Sequence, residues 1–565
     1  MNLRTLVLVF ASVLVLWAVA PAQESLKTLY PYNGQDSTFI DAQFAQDTTA
    51  TGGLLANRVY VLQRDAFYLS RAIITIQSGQ TLRFRGAVGA GKRPIIYLYD
   101  TGTGGTPTRP PGNFVVLNGG SLELKNFAIA GYYEIDPTEI GGVQGGLINT
   151  TAIASSIVVD SVIFSNINGQ HIRTGFNIGT VKVTNTIFAN MGALSTSNLG
   201  AGKGLDLREA TLDTLIVQNC TFVNYQDRAI RHYNFANPTT GTGPIKYGLI
   251  DHNTFVNGMG FHGLLSLGNV GTSISVTNNL FVDGFALGED STDATRAAEW
   301  ANTGEVYASN GQNRITWIFS APNDTTQWRI WNNMYSISDS GTAFLTDFDY
   351  PVGSPLSWHI NTRLDGEGID TLTTFLPVTL TLTNVPRVMT NMMRWYEDPA
   401  GGGRIKSQTN FVLARDDFDR RVIQYYRDTL NAAYSTGSIA YTGAMGGYPV
   451  GDLNWFPSKY IQWMTDPVSS VPPASNLPKS FVVSQNYPNP FNPGTTLEFE
   501  LLTREQVVVK IFDLLGRELA TLLNEVRAAG PHRITWDASA YPSGVYLYRI
   551  QVGQDVQTKR MTLIK

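Results

Sequence analysis

Charge is scarce in this chain. Only 15% of its 565 residues are Asp, Glu, Lys or Arg, against about 25% in an average soluble protein. The balance is slightly acidic, with a formal net charge of −4 and an isoelectric point near 5.9. A nucleic-acid-binding protein needs a basic field to draw phosphates, and this chain has none. There is one cysteine, Cys220. That excludes an intrachain disulfide and any multi-cysteine metal cluster. No His-Glu-x-x-His, Gly-x-Ser-x-Gly or phosphate-binding loop occurs. The run from Gly86 to Lys92 has the glycines of such a loop, but not their spacing or a hydroxyl after Lys92, and it reads as a turn. No cofactor is called for. Past the N-terminus no apolar run approaches the roughly 20 residues that span a bilayer. What the chain does have is 43% hydrophobic residues, 54 glycines, and many threonines, asparagines and aromatics. These are the means for a large core and the habits of a β-rich protein.

The first residues read as an export signal. Arg4 supplies a positive charge, Thr5 to Trp17 form an apolar run of 13 residues, and Ala20 and Ala22 give small-x-small cleavage after Ala22. The run is too short for a membrane anchor. The mature chain is therefore expected outside the cell, with no transmembrane segment.

The middle of the chain repeats. Each unit closes on an aromatic: Ser161-Val-Ile-Phe164, Asn185-Thr-Ile-Phe188, Asn219-Cys-Thr-Phe222, His252-Asn-Thr-Phe255, Asn278-Asn-Leu-Phe281 and Asn332-Asn-Met-Tyr335. Successive Phe residues are 24, 34, 33 and 26 apart, which is the period of a solenoid. β-Branched residues alternate with polar ones before each closing aromatic, and no helix separates the units. The pattern predicts a right-handed parallel β-helix, with Phe stacked on Phe inside and an asparagine amide ladder at the turn. Cys220 sits within this syntax and reads as an inert core residue. Residues 285–327 interrupt the repeat, and Gly288 to Trp300 within them reads as a short helix or lid. A helix is expected over Asp416 to Tyr434, with Phe418, Val422, Tyr425, Tyr426 and Leu430 at three-to-four spacing. This late region is expected to cap the open end of the solenoid.

Right-handed β-helices resemble, as a class, lyases and hydrolases of pectin, alginate and chondroitin. Leu249 to Phe255, followed by Phe261 to Ser266 and Ile274 to Phe281, looks like the coil sequence of calcium-dependent pectate lyases. Where that family places carboxylates this chain has His262 and Ser266, so the calcium ligands are missing. Of the polygalacturonase motifs only Arg404-Ile-Lys406 is present. Glycoside hydrolysis needs two facing carboxylates about 5–10 Å apart, and the regular coils offer no clear pair. The strongest constellation comes from aligning coils on their aromatics. With an eight-residue loop insertion allowed after Phe188, it puts Ile172, Leu205 and Ile230 in one inward column, and Arg173, Asp206 and Arg231 in the outward column beside it. Lys203, Arg208, Asp227, Arg228, His171 and His232 lie nearby, with Tyr225 and Tyr233 as sugar-stacking aromatics. Arg173, Lys203, Asp206, Arg228, Arg231 and His232 are thus a candidate ligand face, because guanidinium forks suit uronate carboxylates or sulfates. Lys203 or His232 is the candidate base if the face is catalytic. A plain Arg–Asp–Arg salt-bridge ladder is the competing reading.

The C-terminus carries the most specific signal. A Pro/Ser linker leads to Asn486-Tyr-Pro-Asn-Pro-Phe-Asn-Pro493, then to short alternating segments that read as a small β-sandwich. Val509 to Arg517, Trp536-Asp537, Ser543 to Tyr548 and the basic end from Lys559 to Lys565 complete the pattern. It resembles the type A C-terminal sorting domain of the type IX secretion system of Bacteroidota. Tyr487, Pro488, Asn489, Pro490, Phe491, Gly516, Gly544 and Tyr546 carry the match. The resemblance implies passage through an outer-membrane translocon, then removal of the domain and surface attachment or release.

The expected organisation is all-β, a parallel β-helix followed by an immunoglobulin-like β-sandwich. Its parts are a signal peptide (1–22), an N-terminal cap (23–57), the β-helix (58–340), an irregular cap with one helix (341–465), a linker (466–482) and the sorting domain (483–565). The expected partners are the type IX machinery and an extracellular polysaccharide. The leading expectation is a non-catalytic binding, adhesive or structural module, the alternative a lyase or hydrolase of an acidic polysaccharide.

Overall fold

The computed structural model describes residues 23–99, 112–131, 145–192, 200–208, 211–232, 244–260, 265–267, 270–284, 327–348, 375–385, 389–405, 430–466, 481–483, 485–501, 505–513, 517–528, 530–552 and 555–565. The signal sequence, the 288–300 segment, the linker, Tyr233, His262, Lys406 and Gly516 lie outside them. The chain forms two compact units, divided after Ser469.

The first unit is a parallel β-helix of three sheets. Sheet A has ten strands, from Ser25–Thr28 to Gln327–Trp331, and sheet B ten, from Phe67–Ser70 to Phe375–Pro377. Sheet C has seven, from Ile74–Gln77 to Leu265–Leu267. One coil visits A, then B, then C, and each strand pairs in parallel with its counterpart one coil away. Ile178–Thr184, Ile187–Met191 and Lys203–Asp206 make such a coil. Parallel pairing begins at Ser25, which lies against Arg58, and extends to Phe375, which lies against Asn333. The stack is therefore longer at both ends than the sequence repeat.

The repeat motif has a backbone cause. Between sheets A and B the chain turns at Asn126, Ser161, Asn185, Asn219, His252, Asn278 and Asn332, all left-handed with φ from 51° to 61°. Asparagine tolerates this conformation better than most residues because its short amide bonds locally. A second left-handed column, Asn166, Asn190, Asn224, Asn257 and Asp283, bends the chain two residues after each Phe. The Phe side chains fall between the two corners and point inward. Phe164, Phe188, Phe222, Phe255 and Phe281 stack with centroids 4.7–5.1 Å apart and planes within 13° of parallel. Asn253 Nδ2 donates to Asn279 Oδ1, and Asn279 Nδ2 to Asn333 Oδ1, which is the amide ladder. Cys220 occupies the same column one coil earlier. It is buried, its backbone N–H donates to Asn253 Oδ1, and burial pushes its thiol well above the ordinary range.

Four α-helices lie among the described residues: α1 (Ile40–Thr51), α2 (Asp339–Asp347), α3 (Met389–Glu397) and α4 (Pro457–Thr465). The described part of the late region packs along the side of the solenoid. Phe344, Leu345, Met392, Met393 and Tyr396 from α2 and α3 form a second core with Ala189, Val223, Val256 and Val282 on the outer face of sheet B. Asn257 Nδ2 donates to Thr390 Oγ1, fixing α3 against the Thr254–Gly258 strand. The apolar outer face of sheet B is what recruits these helices. The helix expected over Asp416–Tyr434 does not reach Tyr434. Residues 406–429 lie outside the description, while Asn431 is extended and exchanges both backbone hydrogen bonds with Asn384.

Residues 444–456 form a strap that runs back along the A–B corner. Met445 N–H donates to Asn278 Oδ1, Asp452 N–H to Thr254 Oγ1, Trp455 Nε1 to Thr221 Oγ1, and Asn454 Nδ2 to Asn185 Oδ1. The strap delivers α4 to the rim of sheet A.

The second unit is a β-sandwich of three- and four-stranded antiparallel sheets. Phe491, Trp536, Tyr546 and Tyr548 belong to its core.

Candidate functional site

The outward column of sheet C is in the register the sequence predicts. Arg173 pairs with Asp206, and Asp206 with Arg231. Ile172, Leu205 and Ile230 line up beside them, facing in, and Ser266 is the register partner of Arg231 on the next strand. Gly204 sits on the same strand because the Phe222 ring fills the place of a side chain there, 2.6 Å from where a Cβ would stand.

Burial divides these residues. Asp206 is 2% exposed and bridges Arg231 Nε at 2.8 Å and Arg173 Nε at 3.8 Å. Arg173 is 38% exposed and only loosely held, so its fork faces water. Lys203, Asp227 and Arg228 form a second network beneath, all within 1% of full burial. Lys203 Nζ lies 2.7 Å from Asp227 Oδ2 and also donates to the Gly200 carbonyl. Burial pushes the Lys203 ammonium down to about 8, with the Asp227 charge opposing that shift. His171 and His232 are buried too, and burial takes the His171 imidazole down to about 3. Tyr225 is fully enclosed, so it does not offer a sugar-stacking face. Of the six residues proposed as a ligand face, Lys203, Asp206, Arg228 and His232 are thus inside. Arg173 is open and Arg231 partly so, at 13% exposure.

The corners around sheet C are the variable ones. From Lys125 onward the A–B corner is only one or two residues on each described coil. The connections on either side of sheet C range from the single Ile153 between Ala152 and Ala154 to the sixteen residues between Leu98 and Val115. Long connections on a rigid scaffold are where binding surfaces are usually built.

A second polar surface lies on the outer face of sheet A. Period-two alternation puts Arg83 and Arg85, Glu123 and Lys125, Val158 and Asp160, Lys182 and Thr184 outward in two columns. With Tyr460, Trp463 and Met464 of α4 they line a groove of about 510 Å³. Arg83 bridges Glu123 at 3.1 Å, Arg85 bridges Glu24 at 2.6 Å, and Lys125 bridges Asp160 at 3.0 Å. Burial works to raise the Asp160 carboxyl, but bonds from Asn185 and Lys125 outweigh it and hold the group below the ordinary range. The alternation was visible in the sequence. The α4 wall was not, because it docks from nearly 300 residues away.

In the sandwich, Phe491 and Tyr546 are buried against Trp536, with centroids 5.7 and 5.5 Å away. Asn489 Oδ1 accepts from Thr562 N–H, and the Pro488 carbonyl accepts from Asn486 Nδ2 and Thr495 Oγ1. Gly544 opens the Gly544–Val552 strand, and Tyr487 is 81% exposed. The motif is therefore mostly a folding device, with Tyr487 as its one large exposed aromatic.

Among the described residues no group of three His, Cys, Asp or Glu is arranged to hold a metal ion, and no helix is long and apolar enough to cross a membrane.

Residues 485–565 match the family model described as the secretion system C-terminal sorting domain. A solved structure of dimeric latent PorU from Porphyromonas gingivalis is similar at 24% identity and a TM-score of 0.13, over 15% of this chain and 9% of that one. No curated protein matches the chain. The C-terminal unit is thus a type IX sorting domain, and the chain is a cargo of that system, bound for the cell surface or the extracellular space.

Proposed function

We propose that this exported cargo is a non-catalytic module that binds an acidic polysaccharide on the sheet C face. The observation that carries the reading is the Arg173–Asp206–Arg231 column, with an open guanidinium at Arg173, between the variable connections. An exposed arginine fork beside a buried carboxylate keeps its donors free for a carboxylate or sulfate. Lyase chemistry is the second reading. Lys203 favours it, since an amine pushed down to about 8 can serve as a base near neutral pH. Its Nζ, however, lies inside an ion-pair network and its side chain is 1% exposed, out of reach of a polymer. The buried carboxylates Asp206 and Asp227 are both committed to cations, which argues against acid–base hydrolysis.

The test is to incubate the mature chain with neutral, uronic and sulfated polysaccharides, with calcium and with chelator. Retention and the release of unsaturated or reducing ends are both measured. Retention of an acidic polymer without product, weakened in Arg173→Ala, is the expected result. Turnover lost in Lys203→Met would establish the lyase instead. Neither retention nor turnover would leave a purely structural surface protein.

A further inference from the structure

The groove on sheet A spans six successive rungs, from Val59 to Asn219. At about 4.8 Å per rung that is a trough of roughly 24 Å along the solenoid axis. Its lining has four cationic side chains, Arg83, Arg85, Lys125 and Lys182, against two acidic ones, Glu123 and Asp160, in a chain whose net charge is −4. Three of the cations have carboxylate partners. Lys182 has no ion pair among the described residues. The trough is also lined by the near-parallel rings of Tyr460 and Trp463, 6.0 Å apart, with Met464 54% exposed beside them.

We propose that this trough is a second ligand site, which takes a linear anionic polysaccharide lying parallel to the solenoid axis. Its acidic groups would meet Lys182 and the outward arginines, and its sugar faces would pass the Tyr460–Met464 wall. The inference uses a different face from sheet C and stands without it. The choice of a glycan over an acidic peptide follows from the floor. An extended peptide gains affinity by adding to an open strand edge. Here the floor is the face of a sheet whose strands are already paired on both sides. A floor that repeats every rung also suits a polymer that repeats.

The experiment uses the mature full chain and alginate as the uronate polymer, with dextran and poly-glutamate as comparators, read by affinity electrophoresis at low and high salt. Wild type is retarded by alginate and not by dextran, and salt reduces the retardation because the contacts are exposed. Lys182→Glu weakens alginate binding about fivefold or more, the effect of reversing one exposed contact. Lys182→Gln, the milder change, weakens it less, and thermal melts of both variants match wild type. Arg173→Ala leaves this component intact, so loss in Arg173→Ala alone would support the sheet C site and overturn the trough. Equal alginate binding by Lys182→Glu and wild type also overturns it. Poly-glutamate binding as tight as alginate, with the same dependence on Lys182, would mean an acidic peptide site and overturn the glycan assignment.

Discussion

The sheet C corner and the sheet A face of the same solenoid both carry Arg, Lys and Asp side chains paired with one another. At the corner, Lys203, Asp227 and Arg228 have lost almost all contact with water. On the sheet A face, Lys125 keeps 57% of its surface exposed while it bridges Asp160. A charge removed from water is costly unless it is paired, whereas a charge left in water is cheap either way. The first arrangement therefore fixes a corner, and the second leaves groups free to trade partners for a ligand. Identical chemistry is structural in one place and available in the other because of where the chain covers it.

The sharpest way to break this contrast is Asp227→Ala. It leaves Lys203 and Arg228 buried beside each other without their shared carboxylate. A loss of about 3–5 kcal/mol is expected in urea denaturation. A loss under 1 kcal/mol would put the corner in the same class as the exposed face.

Two titrations sharpen it further. Burial holds Asp452 up at about 7, above the ordinary carboxylate value of 3.8. Between those values the folded protein keeps a proton that the unfolded chain has released. Stability contributed by this group is therefore present at low pH and lost as pH rises toward 7. Thr221 Oγ1 and Asp452 Oδ2 are 2.8 Å apart, so the loss falls on the strap. Asp452→Asn should flatten the dependence between pH 4 and 7, as seen in denaturation midpoints. Lys203 runs the other way. Its folded value near 8 lies below the ordinary 10.5, so the unfolded state binds more protons between them. Stability relative to Lys203→Met should rise from pH 8 to 10.5. A difference that stays flat would mean the amine keeps its charge throughout.

The smallest effect is expected on the exposed face. Lys125→Ala removes a solvent-screened pair and should change stability by about 0–1 kcal/mol, measured by the same denaturation.

The coil was legible in the sequence because its cause is local. A left-handed residue, most often asparagine, with an inward aromatic three residues on recurs at the turns from sheet A to sheet B from Ser161 to Asn332. The Arg173–Asp206–Arg231 register was legible for the same reason, once the longer connection before Lys203 was allowed for. What the residues around that column touch was not legible. The burial of Lys203 depends on the path of the connection before it and on Asp227 one coil away. Likewise the aromatic wall of the sheet A trough depends on Trp463 returning to coils more than 200 residues earlier. Periodicity reports which face a side chain takes, and remains silent on what later covers that face. The end of the expected helix differs on a related point: the spacing of Leu430 and its neighbours fitted a helix, but Asn431 forms an isolated bridge with Asn384.

The strap has a mechanical consequence. A solenoid pulled from its last coil peels, breaking one rung at a time. Here tension entering at Asp466 meets α4 and then a line of fastenings at Asn185, Thr221, Thr254 and Asn278. These lie on four successive coils, so a pull on the strap would be spread over all of them. A chain tethered by its C-terminal end and gripped along its flank would be held at mid-body, like a blade riveted through its side.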